Sequence, residues 1–300
     1  PCQPKGARQG VVSALFDVIG SQGLLRPAMH YRWNFPEENA AFVRYHFLHS
    51  QRDAPGREEK TDYMMDRMRH AALIFGVTDN TRELIEALYL EFLEALNSHF
   101  EQYPYLLGWR PCIGDFGLLG PLHAHLGRDP YPANLMQRRA PRVWRWVERM
   151  NRPDQDAPEY FNAGDDFLAD DTVPETLLAV LRVVAKDFMP ETHASADFIN
   201  QWLAKQRPEA GTPAVGRLAE APGSATFSVD GQQIPALAQP YRHFQLQRAK
   251  HLFSALNQRD QGAVTTLLES CGLGALLGVS LSRDIERAGN LERWSRHTGD

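Results

Sequence analysis

From Phe116 to Leu126 the chain carries no Asp, Glu, Lys or Arg, and this stretch is entered through Pro111-Cys112-Ile113-Gly114-Asp115. Three glycines, Gly114, Gly117 and Gly120, precede Pro121. A helix that is apolar on every side has no face to give to water, so it belongs at the centre of other helices. The rest of the chain must then supply amphipathic helices to surround it.

That supply is visible in the spacing. Val11, Leu15, Val18 and Ile19, then Leu24, Leu25 and Met29, recur at helical intervals with an interruption around Ser21 to Gly23, which predicts two helical segments or one bent helix. Pro1 to Gly10 has no apolar rhythm and reads as a linker. Asn34-Phe35-Pro36-Glu37-Glu38 places a first-turn proline and two acids where a helix dipole favours them, so a new helix runs from there to about His49. After the polar loop Gln51 to Lys60, helical spacing returns from Asp62 to Phe75. Thr78-Asp79-Asn80-Thr81 then supplies caps for a long helix whose apolar set is Leu84, Leu88, Phe92, Leu96 and Phe100. Ala140-Pro141-Arg142 begins a helix with Val143, Trp144, Trp146, Val147 and Met150, and Pro153 and Pro158 place a domain boundary near Gln155.

In the second half, Asp170 to Glu175 opens a helix through the apolar run Leu177 to Val184, and Ala194 to Gln206 reads as another. Alternating Ala225, Phe227 and Val229 lead into Asp230-Gly231, the dipeptide preferred by two-residue hairpin turns. One small β-hairpin is therefore expected near 224–236. Tyr241 to Leu256 and Gln261 to Cys271 return to helical spacing, and the arginine-rich end from Arg283 to Arg296 reads as a surface helix. The expected fold is mainly α: a linker at 1–10, a helical domain at 11–155, and a helical extension with one hairpin at 156–300.

Composition narrows the function classes. Lys plus Arg number 32 against 37 Asp plus Glu, and the net charge of -5 without long blocks of one sign argues against an electrostatic nucleic-acid binder. No apolar run approaches the roughly 18 residues of a membrane span, and Cys2, Cys112 and Cys271 form neither a CxxC pair nor an even framework. A protein of a reducing, cytoplasmic setting, with no nucleic acid and no membrane as partner, is expected. His46 with His49 and His123 with His125 lack the i, i+4 spacing of helical metal pairs, so no metal is expected. There is no GxSxG and no phosphate-binding loop. The acid pairs Asp165-Asp166 and Asp170-Asp171 read as caps and solvated loop rather than an acid and base.

One segment joins polar recognition groups to aromatic surface: Arg26, Met29, His30, Tyr31, Arg32 and Trp33. On a helix Arg26, His30 and Trp33 share a face, as do Met29 and Trp33. Such a surface could hold a hydrophobic ligand with an anionic group, or it could be a packing face in which arginines cap carbonyls and aromatics fill a core. Both readings stand at this point.

A second segment, Leu107-Gly108-Trp109-Arg110-Pro111-Cys112-Ile113-Gly114-Asp115-Phe116, resembles the entry to the buried central helix in the C-terminal helical domain of glutathione S-transferases. The resemblance continues through Gly120 to Pro132 and Ala140 to Met150, and it looks like a bacterial subgroup with a C-terminal extension. In that phrase a cap residue and an Asp three positions on close a reciprocal box at a buried helix end. Here Asp115 matches, while Cys112 stands where the family has Ser or Thr. Sulfur is a weak acceptor, so a less stable helix start is expected.

The resemblance implies a protein that binds a hydrophobic small molecule for conjugation to glutathione, with glutathione as co-substrate and Arg26, Met29, His30, Tyr31, Arg32 and Trp33 beside the second reactant. In this family a thioredoxin-like domain activates the thiol, and Pro1 to Gly10 reads as the linker following it. The chain is thus expected to lack the thiol-activating residue, and to meet a thioredoxin-like domain partner or form a homodimer. A non-catalytic binding or assembly module is the other expectation, and a new enzymatic site using His123 or Tyr241 a third.

Overall fold

The computed structural model describes residues 2–153, 157–161, 164–216 and 219–296. Its most buried helix is not the expected one. In α1 (Ala7–Val18) the run Gln9 to Phe16 is buried without a break, together with Val18. The later helix α6 (Ile113–Ala124) covers one side of α1, and α10 (Pro240–Ser254) and α11 (Gln258–Ser270) cover the other. Of the stretch read as a linker, Pro1 lies outside the described residues, and Ala7 to Gly10 already belong to α1. Pro4, Gln9 and Gly10 are buried, and the Cys2 carbonyl accepts from Ile113 N at 2.9 Å.

The glycines of α6 serve this crossing. A Cβ on Gly117 would lie 2.4 Å from Asp17 Cα, and one on Gly20 would lie 2.2 Å from the Gly117 carbonyl oxygen, so no larger residue lets the two backbones approach. Gly120 faces open space. Leu118, Leu122 and Leu126 are fully buried, but Phe116 is 46% exposed, and Gly120 and His123 continue that exposed stripe. The uncharged helix is therefore central on one face only.

After α1 a π-helical turn, Ile19–Gly23, occupies the expected interruption and leads into α2 (Leu25–Trp33). α3 (Pro36–Ser50) starts at the expected proline and pairs with α4 (Arg57–Ala71). Thr78 and Thr81 form a reciprocal cap just before α5 (Arg82–His99). α7 (Pro130–Arg139) and α8 (Pro141–Met150) follow α6.

The expected boundary near Gln155 falls outside the described residues. Beyond it, α9 (Glu175–Gln206) is one helix rather than two, continuing through Pro190, whose ring nitrogen cannot donate to the carbonyl four residues back. Its first half packs on α5, and Val180, Leu181 and Val184 join the same buried apolar cluster as Val11, Leu93 and Trp146.

Strands β1 (Ser224–Val229) and β2 (Gln232–Leu237) pair antiparallel, Val229 opposite Gln232, with Asp230 and Gly231 both at positive φ as such a turn requires. Phe227, Val229, Ile234 and Ala236 form one apolar face that meets Leu84 and Leu88 of α5. The surface helix expected over Arg283 to Arg296 is instead a second hairpin, β3 (Ile285–Ala288) with β4 (Leu291–Trp294). Gly289 and Asn290 take positive φ at its turn, and Ile285 and Trp294 are buried against α9 residues Ile199 and Leu203. Among the described residues the architecture is thus mainly helical with two small antiparallel hairpins, one more than expected.

Candidate functional site

α2 is short and carries six functional candidates, and its neighbours draw them apart. Arg26 is 4% exposed and points to α9, where Nη1 meets Asp187 Oδ2 at 2.7 Å and Nη2 meets Glu191 Oε2 at 2.8 Å. Its Nε donates to the Phe75 carbonyl at 3.0 Å, and the guanidinium lies 5.2 Å from the Phe227 ring centroid. Arg242 of α10 reaches the same carboxylate, Nη2 to Glu191 Oε1 at 2.9 Å, and donates to Thr192 Oγ1 at 3.2 Å. Two cations and two acids thus balance across α2, α9 and α10. Burial disfavours the Arg26 charge, but Glu191 and Asp187 outweigh it and raise its pKa. Burial pushes Asp187 up to about 6, with Arg26 opposing, whereas for Glu191 the two arginines overcome burial and hold it below the usual range.

Met29 turns into a separate apolar cluster with Ala72, Val77 and Ile85. His30 is fully buried. Asn34 Nδ2 donates to its Nδ1 at 2.8 Å, so the neutral ring carries its proton on Nε2 and donates to Glu86 Oε1 at 3.0 Å. Burial lowers the His30 pKa despite Glu86. The Tyr31 ring stacks on Phe35 at 5.5 Å and sits 5.0 Å from Tyr89, and its carbonyl accepts from Asn39 Nδ2 at 2.7 Å. Arg32 forms a two-bond fork to Asp129, Nε to Oδ2 at 2.7 Å and Nη2 to Oδ1 at 2.9 Å. Trp33 lies under the Arg69 guanidinium at 5.8 Å.

Of the six, Arg26 alone borders the cleft between α2, α5 and α9. Its walls are Leu24, Pro27, Leu84, Leu88, Phe92 and Val183, with Ile234 of the first hairpin over it and Asp187 at the charged end. Tyr89 also lines it; burial raises the Tyr89 pKa well above the ordinary value, and its buried hydroxyl makes no hydrogen bond among the described residues. The free volume is about 40 Å³, room for a few waters, so a larger guest requires the lining to rearrange.

Sequence reasoning did not find Asp187, Glu191 or Arg242. Two acids at i, i+4 beside Val183, Val184 and Phe188 are the signal that could have found the first two. Nothing local links them to Arg242.

At the start of α6 both halves of the cap are made. Cys112 sulfur accepts from the Asp115 amide, and Asp115 Oδ2 accepts from Cys112 N at 2.9 Å. Asp115 Oδ1 also accepts from Leu106 N and from Trp146 Nε1, both at 3.1 Å, and the Ile113 and Gly114 amides donate to the Cys2 carbonyl and Ser13 Oγ, so the weak sulfur acceptor is one bond among several that hold this helix end. Burial pushes Asp115 up to about 6 and the Cys112 thiol well above its ordinary value, which keeps the thiol protonated. Burial also raises the Cys271 thiol.

Among the described residues no three His, Cys, Asp or Glu side chains come together as a metal site, and no helix is long and apolar enough to cross a membrane. Comparison of the chain with protein-family models, with curated proteins and with solved structures finds no match.

Proposed function

We infer that the chain is the hydrophobic-ligand-binding helical portion of a glutathione-transferase-like protein. The observation that carries this reading is the cleft between α2, α5 and α9, apolar along its walls and bordered by Arg26 and Asp187, with a buried Tyr89 hydroxyl free to hydrogen-bond a guest. It lies beside the helix where the sequence resemblance expects the second reactant. The electrophile would be held there while glutathione thiolate attacks it, and holding the two together is the chain's contribution to rate. Thiol activation would come from a thioredoxin-like domain, as the resemblance implies.

The test is binding of a neutral apolar fluorophore such as N-phenylnaphthylamine. Saturable binding that weakens about tenfold or more in Leu88→Trp, with the melting curve preserved, supports the cleft as the site. Unchanged binding in that variant overturns it. Conjugation of glutathione to chlorodinitrobenzene is expected only when a thioredoxin-like domain is supplied.

The engagement of Arg26, His30 and Arg32 in internal bonds favours a second reading, a non-catalytic binding or assembly module. No retention on glutathione-agarose and no conjugation with the added domain, together with a stable complex on size-exclusion chromatography, would select it.

A further inference from the structure

A second cleft opens at the other end of α2, between α3 and the corner that joins α6 to α7, with a free volume of about 310 Å³. That is ligand-sized without any rearrangement. The Arg32 to Asp129 fork forms part of its lining and consumes both of those charges. Phe42, Val43 and Phe47 of α3 make an apolar wall, with Val43 buried.

The polar end is different in kind from the first cleft. Arg128 is exposed and forms no ion pair among the described residues; its Nη2 donates to His46 Nδ1 at 2.9 Å, and its guanidinium lies 5.9 Å from the Phe42 ring centroid. The His46 ring itself meets Phe42 edge-on at 4.4 Å. His125 ends α6 at the cleft, and its buried Nδ1 has no hydrogen-bond partner among the described residues. A neutral imidazole between Arg32 and Arg128 can offer either a donor or an acceptor there. Summed over the lining, two arginines and one aspartate leave one positive charge facing an aromatic wall.

We propose that this cleft binds a small organic anion, one carboxylate on a flat apolar body. Arg128 supplies the planar fork that matches a carboxylate, His46 and His125 supply further polar contacts, and Phe42 with Phe47 covers the apolar body. The site is separate from the α2, α5 and α9 cleft and does not depend on the function inferred for that cleft.

Titration calorimetry with naphthoate and with naphthamide, the same shape without the charge, tests it. Saturable one-to-one binding of naphthoate is expected, with naphthamide about tenfold weaker or worse. Arg128→Gln should cost naphthoate about tenfold, and Arg128→Lys, which keeps the charge and loses the fork, should fall between. Because Arg128 is exposed, these variants fold, and superimposable melting curves verify it; Arg139→Gln, an exposed arginine at the C-terminal end of α7 that pairs with Glu94, controls for general charge loss. Equal binding of naphthamide, indifference to Arg128→Gln, or no saturable heat into the millimolar range would each overturn the proposal. Loss of naphthoate binding in Leu88→Trp alone would also overturn it, by placing the anion in the other cleft.

Discussion

The two clefts that flank α2 are built from the same materials: an arginine of the helix, a carboxylate facing it and aromatic side chains nearby. Beside Arg26 the charges are balanced two against two, all four groups are drawn inward, and the space has closed to about 40 Å³. Beside Arg32 the fork to Asp129 is complete, yet Arg128 is left over in solvent and about 310 Å³ stays open. Compensated charge can be buried and lets the helices close around it. Uncompensated charge must keep its water, and so it holds a cavity at the surface.

The largest expected effect comes from unbalancing the first cleft. Glu191→Ala leaves Arg26 and Arg242 sharing only Asp187, and buried pairs broken on one side lose about 3–5 kcal/mol. Denaturant unfolding measures this; a loss under about 1 kcal/mol would mean that the cluster is more hydrated than its geometry implies.

The pH dependence should separate the clefts by sign. Asp187 is held up to about 6 in the fold and titrates near 4 when unfolded, so the folded state takes up its proton first and this group adds stability as pH falls through 6. His125 is pushed down to about 4 by burial, then Arg32 and Arg128. Its contribution is full above the unfolded value near 6.5 and is lost as pH falls toward 4. Burial likewise holds His99 near 4 and His243 near 3, so the histidines outnumber Asp187 and Asp115 and net stability declines toward acid. Asp187→Asn should steepen that decline by up to about 1.4 kcal/mol per pH unit, and His125→Gln should make it shallower. Melting temperatures between pH 7 and 4 decide the matter, and slopes moving in the same direction for both variants would break the comparison.

The smallest effect is expected at Arg128→Gln, less than about 0.5 kcal/mol in unfolding free energy, because Arg128 forms no ion pair among the described residues and its contacts to His46 and Phe42 are made at the exposed surface. A substantial loss would show that Arg128 is part of the framework.

Legibility in the sequence followed the range of the interactions. The start of α3, the caps before α5, the reciprocal bond of Asp115 to Cys112 and the first hairpin depend on residues a few positions apart, and each was readable. The second hairpin carried its own turn signal, Gly289-Asn290, but Glu286, Arg287, Glu292 and Arg293 hid the alternation that ends in buried Ile285 and Trp294. The centrality of α1 was misjudged because Gln9, Gly10 and Ser13 look polar or breaking, and only partners from α10 and α11 bury its second side. For the candidate site, the residue types on α2 were legible and their directions were not. Those were set by Asp187, Glu191, Glu86 and Asp129, each more than fifty residues away in the chain.

α1 supplies no side chain of its own to cap its start. Asp171 does so from the far side of the chain, accepting from Arg8 N at 2.8 Å and Gln9 N at 2.9 Å, and a Cβ on Gly6 would lie 2.0 Å from that carboxylate. This helix is therefore completed by a residue more than 160 positions further along the chain. Until Asp171 is in place those opening amides have only water to bond, so closing α1 into the bundle draws on residues from both halves of the sequence.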